Sequence, residues 1–301
     1  MFVASDRLYH TTAKCFQVVE CKSCRLLRLE PKPTLEELAQ YYPPDYWYAP
    51  DESSIGRLQQ TYRRIVLRDH VNFVLAAIKD SGERGLVLDV GCGGGLFLRL
   101  LADTGLPVLG LDLSLDAASV AWNRNGVPAI LGSLDQAPLP RGCCGAVTMF
   151  HILEHVYDPL PYVQHARALL RPDGRLIVQV PNASCWQFLL LGEHWNGLDV
   201  PRHLVNFRLG DMLNLLDHGG FEVLRVKHFS LRDNPAGLAT SLAPGLDPMA
   251  RRVRGAVESP LMRGVKDLAY LCLVAGAFPF TALEAACRAG STMMLEARPK
   301  R

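Results

Sequence analysis

The stretch Leu86–Leu96, LVLDVGCGGGL, constrains the fold of this chain more than any other. Apolar and β-branched residues lead into Asp89, a cluster of glycines follows, and an apolar run at helical spacing comes next. This order predicts a buried strand, a tight turn and the start of a helix. Glycine suits such a turn because it tolerates positive φ and lets a ligand approach the backbone. The free N–H groups and the positive end of the helix dipole favour an anionic group there.

Two details narrow the kind of ligand. The dinucleotide pattern Gly-x-Gly-x-x-Gly requires glycine where Leu96 stands, and the chain instead reads DVGCGGG over 89–95. A second apolar run, Pro107–Leu111, ends at Asp112, a carboxylate that can take both hydroxyls of a ribose. The pattern therefore favours a ribose-containing ligand and argues against a nicotinamide-dependent oxidoreductase.

Strands alternate with helices along the central part of the chain. This alternation predicts a parallel sheet covered by helices on both faces, with ligands at the carboxyl ends of the strands. The motifs described here follow such strand ends. The predicted strands are Leu86–Val90, Val108–Asp112, Val127–Leu131, Ala146–Phe150, Arg175–Val180 and Phe221–Phe229.

DVGCGGG and the following GLDLS, residues 110–114, resemble the first and second motifs of the class I S-adenosylmethionine-dependent methyltransferases. The resemblance implies a Rossmann-like α/β fold. Its sheet has seven mainly parallel strands with helices on both faces, and its last strand, Gly290–Arg298, is antiparallel. It also implies S-adenosylmethionine as cofactor. The cofactor-binding residues that it implies are Asp89, Gly91, Cys92, Gly93, Gly95, Asp112, Leu113, Ser133, Leu134, Asp135, Phe150 and His151.

The segment FHILEHVYDP, residues 150–159, resembles a signature of one branch of these enzymes, which includes quinone and sugar methyltransferases. By this resemblance, Phe150 and His151 flank the methionine part of the cofactor. The pattern His-x-x-Glu-His also matches an inverted zinc-protease motif, but that motif needs a long helix. Here the residues leave a strand and run into Asp-Pro, so we predict that Glu154 and His155 fix the loop by hydrogen bonds.

Residues 195–204, WNGLDVPRHL, resemble a second segment that is typical of the same branch. Loops at this point of the fold shape the acceptor pocket. A hydroxyl acceptor must lose its proton, usually to a His, Asp or Glu side chain. We predict His203 as general base, with Asp199 orienting it or Arg202 holding an anionic acceptor. The alternative is that His203 and Arg202 only lock the loop.

The first part of the chain contains a Cys-x-x-Cys pair, Cys21 and Cys24. Two thiolates at this spacing can share a tetrahedral zinc ion, which Cys15 and His10 could complete, although the spacing is irregular. The surrounding stretch resembles the small zinc-ribbon leader of one methyltransferase branch, in which another Cys-x-x-Cys lies upstream. The alternative is a two-stranded knuckle with free thiols.

We divide the chain into a leader, residues 1–50, and a methyltransferase domain, residues 51–301, with an apolar helical insert at about 235–289. Thr34 starts a short predicted helix in the leader. The aromatic residues that follow it, within 41–48, either pack the leader on the domain or form a lid over substrate. Leu268–Leu283 is predicted to be a buried helix, with peripheral membrane contact or a cover over a lipid-linked acceptor as alternatives.

Charge and cysteine content exclude some classes of function. A net charge of +2 gives no argument for a nucleic-acid partner, and the nine cysteines are not spaced as a secreted disulfide framework. Without an apolar N-terminal signal, the predicted location is cytoplasmic. We predict methyl transfer from S-adenosylmethionine to a small molecule such as a sugar, a quinone or another secondary metabolite, with oxygen as the favoured acceptor atom. The alternatives are an inactive cofactor-binding module and a methyltransferase for a lipid-linked or macromolecular acceptor.

Overall fold

The structure is a computed structural model that describes residues 2–43 and 54–301. Its first elements are strands β1 (Phe2–Ser5), β2 (Cys15–Glu20) and β3 (Leu27–Glu30), followed by helices α1 (Leu35–Gln40) and α2 (Ser54–Ser81). The central elements are β4 (Leu86–Val90), α3 (Leu96–Ala102), β5 (Val108–Asp112), α4 (Leu115–Asn125), β6 (Ala129–Leu131), β7 (Cys144–Phe150), α5 (Pro159–Leu169) and β8 (Leu170–Pro181). The remaining ones are α6 (Trp186–Leu191), β9 (Val205–Asn206), α7 (Leu209–His218), β10 (Phe221–Lys227), α8 (Asn234–Leu242), α9 (Pro248–Val253), α10 (Pro260–Ala286) and β11 (Thr292–Pro299).

The central sheet has seven strands in the order β10-β11-β8-β7-β4-β5-β6. The pairs among β8, β7, β4, β5 and β6 are parallel, whereas β11 runs antiparallel to both β8 and β10. This confirms the predicted Rossmann-like fold with an antiparallel last strand. From β4 the chain adds β5 and β6 on one side and then crosses back to place β7 on the other side of β4. Ligands bind at such a reversal of strand order, beyond the carboxyl ends of the strands.

Both faces of the sheet are buried, as expected for strands covered by helices. Successive residues of β4 point to opposite faces: Leu88 packs in the same core cluster as Val163 of α5, and Val87 packs in the cluster that contains Val74 of α2. The sheet is therefore held from both sides, which fixes the strand ends that carry the site.

Local chemistry sets several element boundaries. The Ser114 side chain accepts from the Ala117 N–H at the start of α4, and Gly126 ends that helix in the left-handed conformation. The predicted bounds of β4 and β5 are confirmed. The predicted strand Arg175–Val180 extends to the longer strand β8, whose register against β7 shifts between Leu170 and Arg175.

The leader forms a four-stranded antiparallel sheet in the order β1-β2-β3-β9. Its last strand is Val205–Asn206, far along the chain, so the leader is built onto the acceptor loop. Tyr41 is buried in the leader core with its ring edge on Phe16. Tyr42 contacts His155, while Tyr46, Trp47 and Tyr48 of the predicted packing or lid segment lie outside the described residues.

The predicted zinc set of the leader is contradicted by the strand geometry. Cys15 begins β2 and Cys21 follows its last residue, so an extended strand separates them by about 20 Å. One tetrahedral ion cannot reach both thiols. Cys21 and Cys24 lie together in the hairpin turn between β2 and β3 as free thiols, and backbone and Ser23 hydrogen bonds lower the pKa of Cys21 to about 6.

The insert forms three helices, and the prediction that its apolar part is a buried helix is wrong. α10 has 27 residues, of which only Ala277, Thr281 and Glu284 are buried. Leu261, Leu268, Leu271 and Phe278 are exposed. Among the described residues, α10 is the one helix long and apolar enough to cross a membrane by length and composition.

Candidate active site

A cavity of about 1270 Å³ opens at the carboxyl ends of the central strands. The glycine turn and the ends of β4 and β7 form one side of it, and the loop 195–203 and the helices of the insert form the other. The sequence-predicted residues that it brings together are Asp89, Gly91, Cys92, Gly93, Gly95, Phe150, His151, Asp199 and His203.

The glycine turn adopts the conformation expected from its composition. Gly91, Gly93 and Gly95 have φ of 71°, 53° and 73°, which L side chains rarely adopt. A Cβ on Gly91 would lie 2.0 Å from Ile152 Cδ1, whereas a Cβ on Gly93 would meet nothing within 4 Å. Gly93 thus leaves open space beside the backbone, where a ligand can approach closely.

Asp112 is hydrogen-bonded to this turn. Its Oδ2 accepts from the Gly93 N–H at 2.8 Å, and its Oδ1 accepts from the Ser114 N–H at 2.8 Å. Burial raises the pKa of Asp112. Each carboxylate oxygen keeps further acceptor capacity, so the geometry is compatible with the predicted ribose contact. Asp112 adjoins the cavity through Gly93, which lines it.

Asp89 lines the cavity and precedes the glycine turn in the chain. It is buried at the end of β4 and accepts from Thr148 Oγ1 at 2.6 Å. Burial raises its pKa to about 7. A nearby cation would stabilise the ionised form of this buried carboxyl group.

Besides Asp112, four residues of the predicted cofactor set are not among the described residues that line the cavity: Leu113, Ser133, Leu134 and Asp135. Leu113 is largely exposed, Leu134 is buried in the core, and Asp135 is an exposed carboxyl whose pKa is lowered by the Ser133 side chain. The Cys92 side chain is directed into the core, where a Cβ on Gly110 would lie 2.5 Å from its sulfur.

His151 follows β7 at the cavity wall with φ of 57°, an uncommon value for a residue with a side chain. Its Nδ1 lies 3.1 Å from Glu154 Oε1, and its Nε2 lies 3.7 Å from Asp233 Oδ1. Burial opposes a charge on this ring, but these two carboxylates outweigh it and raise the pKa of His151 above its usual range. Strain of this kind at a ligand cavity is typical of functional positions.

His203 has a defined hydrogen-bonding state. Its Nδ1 donates to the Gly197 carbonyl at 2.8 Å, because a carbonyl oxygen can only accept. Its Nε2 is then the acceptor nitrogen, 3.9 Å from Asp199 Oδ2. Gly197, rather than the predicted Asp199, therefore orients the ring. The His155 ring packs edge-on against His203 at 4.7 Å, and burial lowers the pKa of His155 to about 4.

Arg202 does not hold an acceptor, and that prediction is wrong. Its side chain is completely buried. Its guanidinium donates to Asp6 at 2.9 Å and to Asp199 at 2.7 Å, and it lies over the Tyr9 ring. Arg202 thus joins the leader to the acceptor loop, and it is not among the described residues that line the cavity.

Several site residues could not be found from the sequence. Arg232 and Asp233 precede α8, and Thr240, Asp247 and Tyr270 come from the insert, yet all five line the cavity. No motif or spacing distinguishes them in a segment rich in proline, glycine and alanine. Asp6, the buried partner of Arg202, is likewise an isolated acid in the sequence.

Comparison with known proteins identifies the family. The Methyltransferase domain family matches residues 59–226. A Mycolicibacterium smegmatis protein named probable S-adenosylmethionine-dependent methyltransferase is 33% identical over 190 residues, 60% of this chain and 65% of that protein. The ubiquinone biosynthesis O-methyltransferase of Haemophilus ducreyi is 31% identical over 156 residues, 48% of this chain and 63% of that protein. The chain thus spans somewhat less than two thirds of the length of these two relatives.

A solved structure, an S-adenosylmethionine-dependent methyltransferase from Archaeoglobus fulgidus, has the same fold, with a TM-score of 0.50 and 16% identity. It covers 82% of this chain and 100% of its own chain. With a family match over more than half of its length, the chain belongs to the methyltransferase domain family. The open space at Gly93 and the buried acid Asp89 fit S-adenosylmethionine, whose sulfonium and ammonium groups are cationic.

Proposed function

We propose that this chain transfers a methyl group from S-adenosylmethionine to a hydroxyl oxygen of a small-molecule acceptor. The observation that carries the proposal is the placement of His203, which lines the same cavity as the glycine turn and whose Nδ1 is engaged by Gly197, so that Nε2 is left as the acceptor nitrogen. The names of relatives that are about 31% identical support oxygen as the acceptor atom.

S-adenosylmethionine supplies a methyl group already activated on a sulfonium, so the protein mainly positions the acceptor and removes its proton. We assign cation binding to Asp89 and the ribose contact to Asp112. The Gly93 backbone leaves room for the cofactor, and Phe150 and His151 lie beside the reacting end.

His203 is the proposed general base. The acceptor oxygen bonds to the methyl carbon as the carbon–sulfur bond breaks, and the hydroxyl proton passes to His203 Nε2. Asp199 lies 3.9 Å from that nitrogen, so its negative charge stabilises the imidazolium that forms.

His203→Asn tests this role, since the asparagine amide can still donate to Gly197 while Nε2 is removed. Turnover of a panel of phenols, catechols and sugars is followed as S-adenosylhomocysteine formation. We expect turnover of the accepted substrate to fall by about 100-fold or more, with cofactor affinity unchanged.

His218→Asn is the matched control, because His218 also lies 2.8 Å from a backbone carbonyl, that of Asn214, but is exposed. Equal turnover in the two variants would remove His203 from the proton-transfer step. Cofactor binding without turnover of any acceptor class would favour the inactive module.

A lipid-linked acceptor is a second candidate. α10 contributes Tyr270 to the cavity and exposes apolar side chains such as Leu268 and Leu271 to the surroundings. An apolar tail could lie along this face while the acceptor group enters the cavity. Turnover of a short-chain and a long-chain form of the same acceptor separates this candidate from a free small molecule, and a cytoplasmic location stays a prediction.

A further inference from the structure

Three potential metal-binding side chains, Glu154, His155 and His203, lie close together, and the two histidines line the cavity. Glu154 and His155 belong to the short helical turn that follows β7, and His203 comes from the acceptor loop. One ligand atom from each lies within 4.8 Å of the others. The two segments are distant in sequence and are brought together only by the fold.

The hydrogen bonds of both histidines leave the same nitrogen available. Gly197 O lies 2.8 Å from His203 Nδ1. His155 Nδ1 lies 3.1 Å from Arg202 O and 2.9 Å from the Tyr42 hydroxyl oxygen, which can accept as well as donate. Carbonyl oxygens only accept, so these contacts favour rings protonated at Nδ1, with lone pairs on Nε2. Histidines that bind metals are usually held in this way by a partner on the other nitrogen.

Glu154 supplies an independent observation. Its side chain is 1% exposed, and Oε1 is occupied by His151. Its other oxygen, Oε2, is buried and has no hydrogen-bond partner among the residues that the structure describes. A buried carboxylate oxygen without a partner is unfavourable, and a bound cation would satisfy it.

We propose that Glu154, His155 and His203 bind a divalent transition-metal ion, with Zn²⁺ as the best match, and that its open position faces the acceptor. Two imidazoles and one carboxylate are a donor set of three-ligand zinc sites that keep a fourth position for water or substrate. Ligand atoms around tetrahedral Zn²⁺ lie about 3.4 Å apart, so binding draws the three groups together by about 1 Å. The ligand expected in the open position is an oxygen, either water or the acceptor hydroxyl.

This inference rests on the proposed function for the identity of the acceptor and deepens it. His203 Nε2 has one lone pair, which binds either a proton or the ion. His203 is therefore the base in the ion-free protein. In the ion-loaded protein it is a ligand, and the ion itself lowers the pKa of the bound hydroxyl.

The motif at residues 151–155 has a different role in this site from its role in an inverted zinc-protease motif. Within His151-x-x-Glu154-His155, the distal histidine and the glutamate are the ligands, while His151 donates to the other oxygen of Glu154. The third ligand, His203, is 48 residues beyond His155 and has no spacing that a motif could capture.

The test is calorimetric titration of Co²⁺ and Zn²⁺ into the full chain carrying Cys21→Ser and Cys24→Ser. This background removes the exposed thiol pair, which also binds such ions. We expect one ion to bind per chain. The Co²⁺-loaded protein should show visible absorption bands but no thiolate-to-cobalt charge-transfer band.

Glu154→Gln, His155→Ala and His203→Ala, each added separately, should weaken binding about tenfold or more. His218→Ala, which removes an exposed histidine, should leave it unchanged, and thermal melting checks that each variant is folded. Glu154→Gln is isosteric, so it tests the site even where a histidine variant fails to fold.

Two results would overturn the proposal: no binding in the Cys21→Ser, Cys24→Ser background, or one-to-one binding that survives Glu154→Gln and both histidine substitutions. The titration contains no cofactor and no acceptor. Its failure therefore leaves the proposed methyl transfer intact, and failure of methyl transfer leaves the metal result valid.

Discussion

The buried ion pair between Asp6 and Arg202 should dominate the attachment of the leader to the acceptor loop. Both side chains are 0% exposed, and Asp6 also accepts from the Tyr9 and Thr11 backbone N–H groups. Asp6→Asn keeps the shape of the side chain and removes its charge, which leaves part of the Arg202 charge uncompensated. Breaking a buried pair in this way costs about 3–5 kcal/mol.

For a chain of this size, that loss corresponds to a decrease in melting temperature of about 6–10 °C, measured by circular dichroism. The matched control is Glu222→Gln, which removes an acid from the exposed pair with Arg298 and should cost at most about 1 kcal/mol. Equal shifts in the two variants would refute the assignment of Asp6 and Arg202 as a structural link.

The pH dependence of this effect has a definite sign. Burial raises the pKa of Asp6, but the hydrogen bond and charge of Arg202 outweigh burial and hold the pKa below its usual value. The Asp6 contribution is therefore fully present above about pH 4 to 5 and is lost as the pH falls through the lowered pKa. The difference between wild type and Asp6→Asn should persist from pH 8 to pH 5 and narrow only in stronger acid.

Two further predictions concern the cofactor site and the sheet edge. Since Asp89 has a pKa of about 7, its ionised fraction changes about tenfold between pH 8 and pH 6. The affinity of the wild type for S-adenosylmethionine, measured by calorimetry, should therefore fall by about this factor from pH 8 to pH 6, relative to that of Asp89→Asn. The same pH dependence in wild type and variant would contradict the role of Asp89 in binding the cation. A Cβ on Gly290 would lie 1.8 Å from His228 O, whereas one on Gly276 of α10 would meet nothing within 4 Å. Gly290→Ala should therefore lower the melting temperature, while Gly276→Ala should leave it unchanged or raise it slightly because alanine favours the helix; equal effects would contradict the close approach.

Sequence reasoning succeeded where local chemistry decides the structure. The bounds of β4 and β5 depend on residues next to one another in the chain. The glycine turn is predictable for the same reason, since few other residues adopt its φ values. These local signals were enough to locate the cofactor end of the cavity.

The acceptor end depends on contacts that no local pattern contains. Arg202 looks like a substrate-binding residue until its partner Asp6, 196 positions away, is known. The Cys-x-x-Cys spacing permits a zinc ion, but the length of β2 removes Cys15 from it. The apolar composition of α10 predicts burial, but burial depends on what packs against a helix, and most of α10 is not covered.

The central claim is that the cavity at the glycine turn binds S-adenosylmethionine. Calorimetric titration of S-adenosylmethionine and S-adenosylhomocysteine into wild type and Asp112→Ala tests it most directly, with thermal melting to confirm that both proteins are folded. We predict one-to-one binding of both ligands by the wild type and a loss of affinity of about tenfold or more in Asp112→Ala, which removes the proposed ribose contact and two acceptors of the turn. A folded wild-type protein that binds neither ligand would contradict the account.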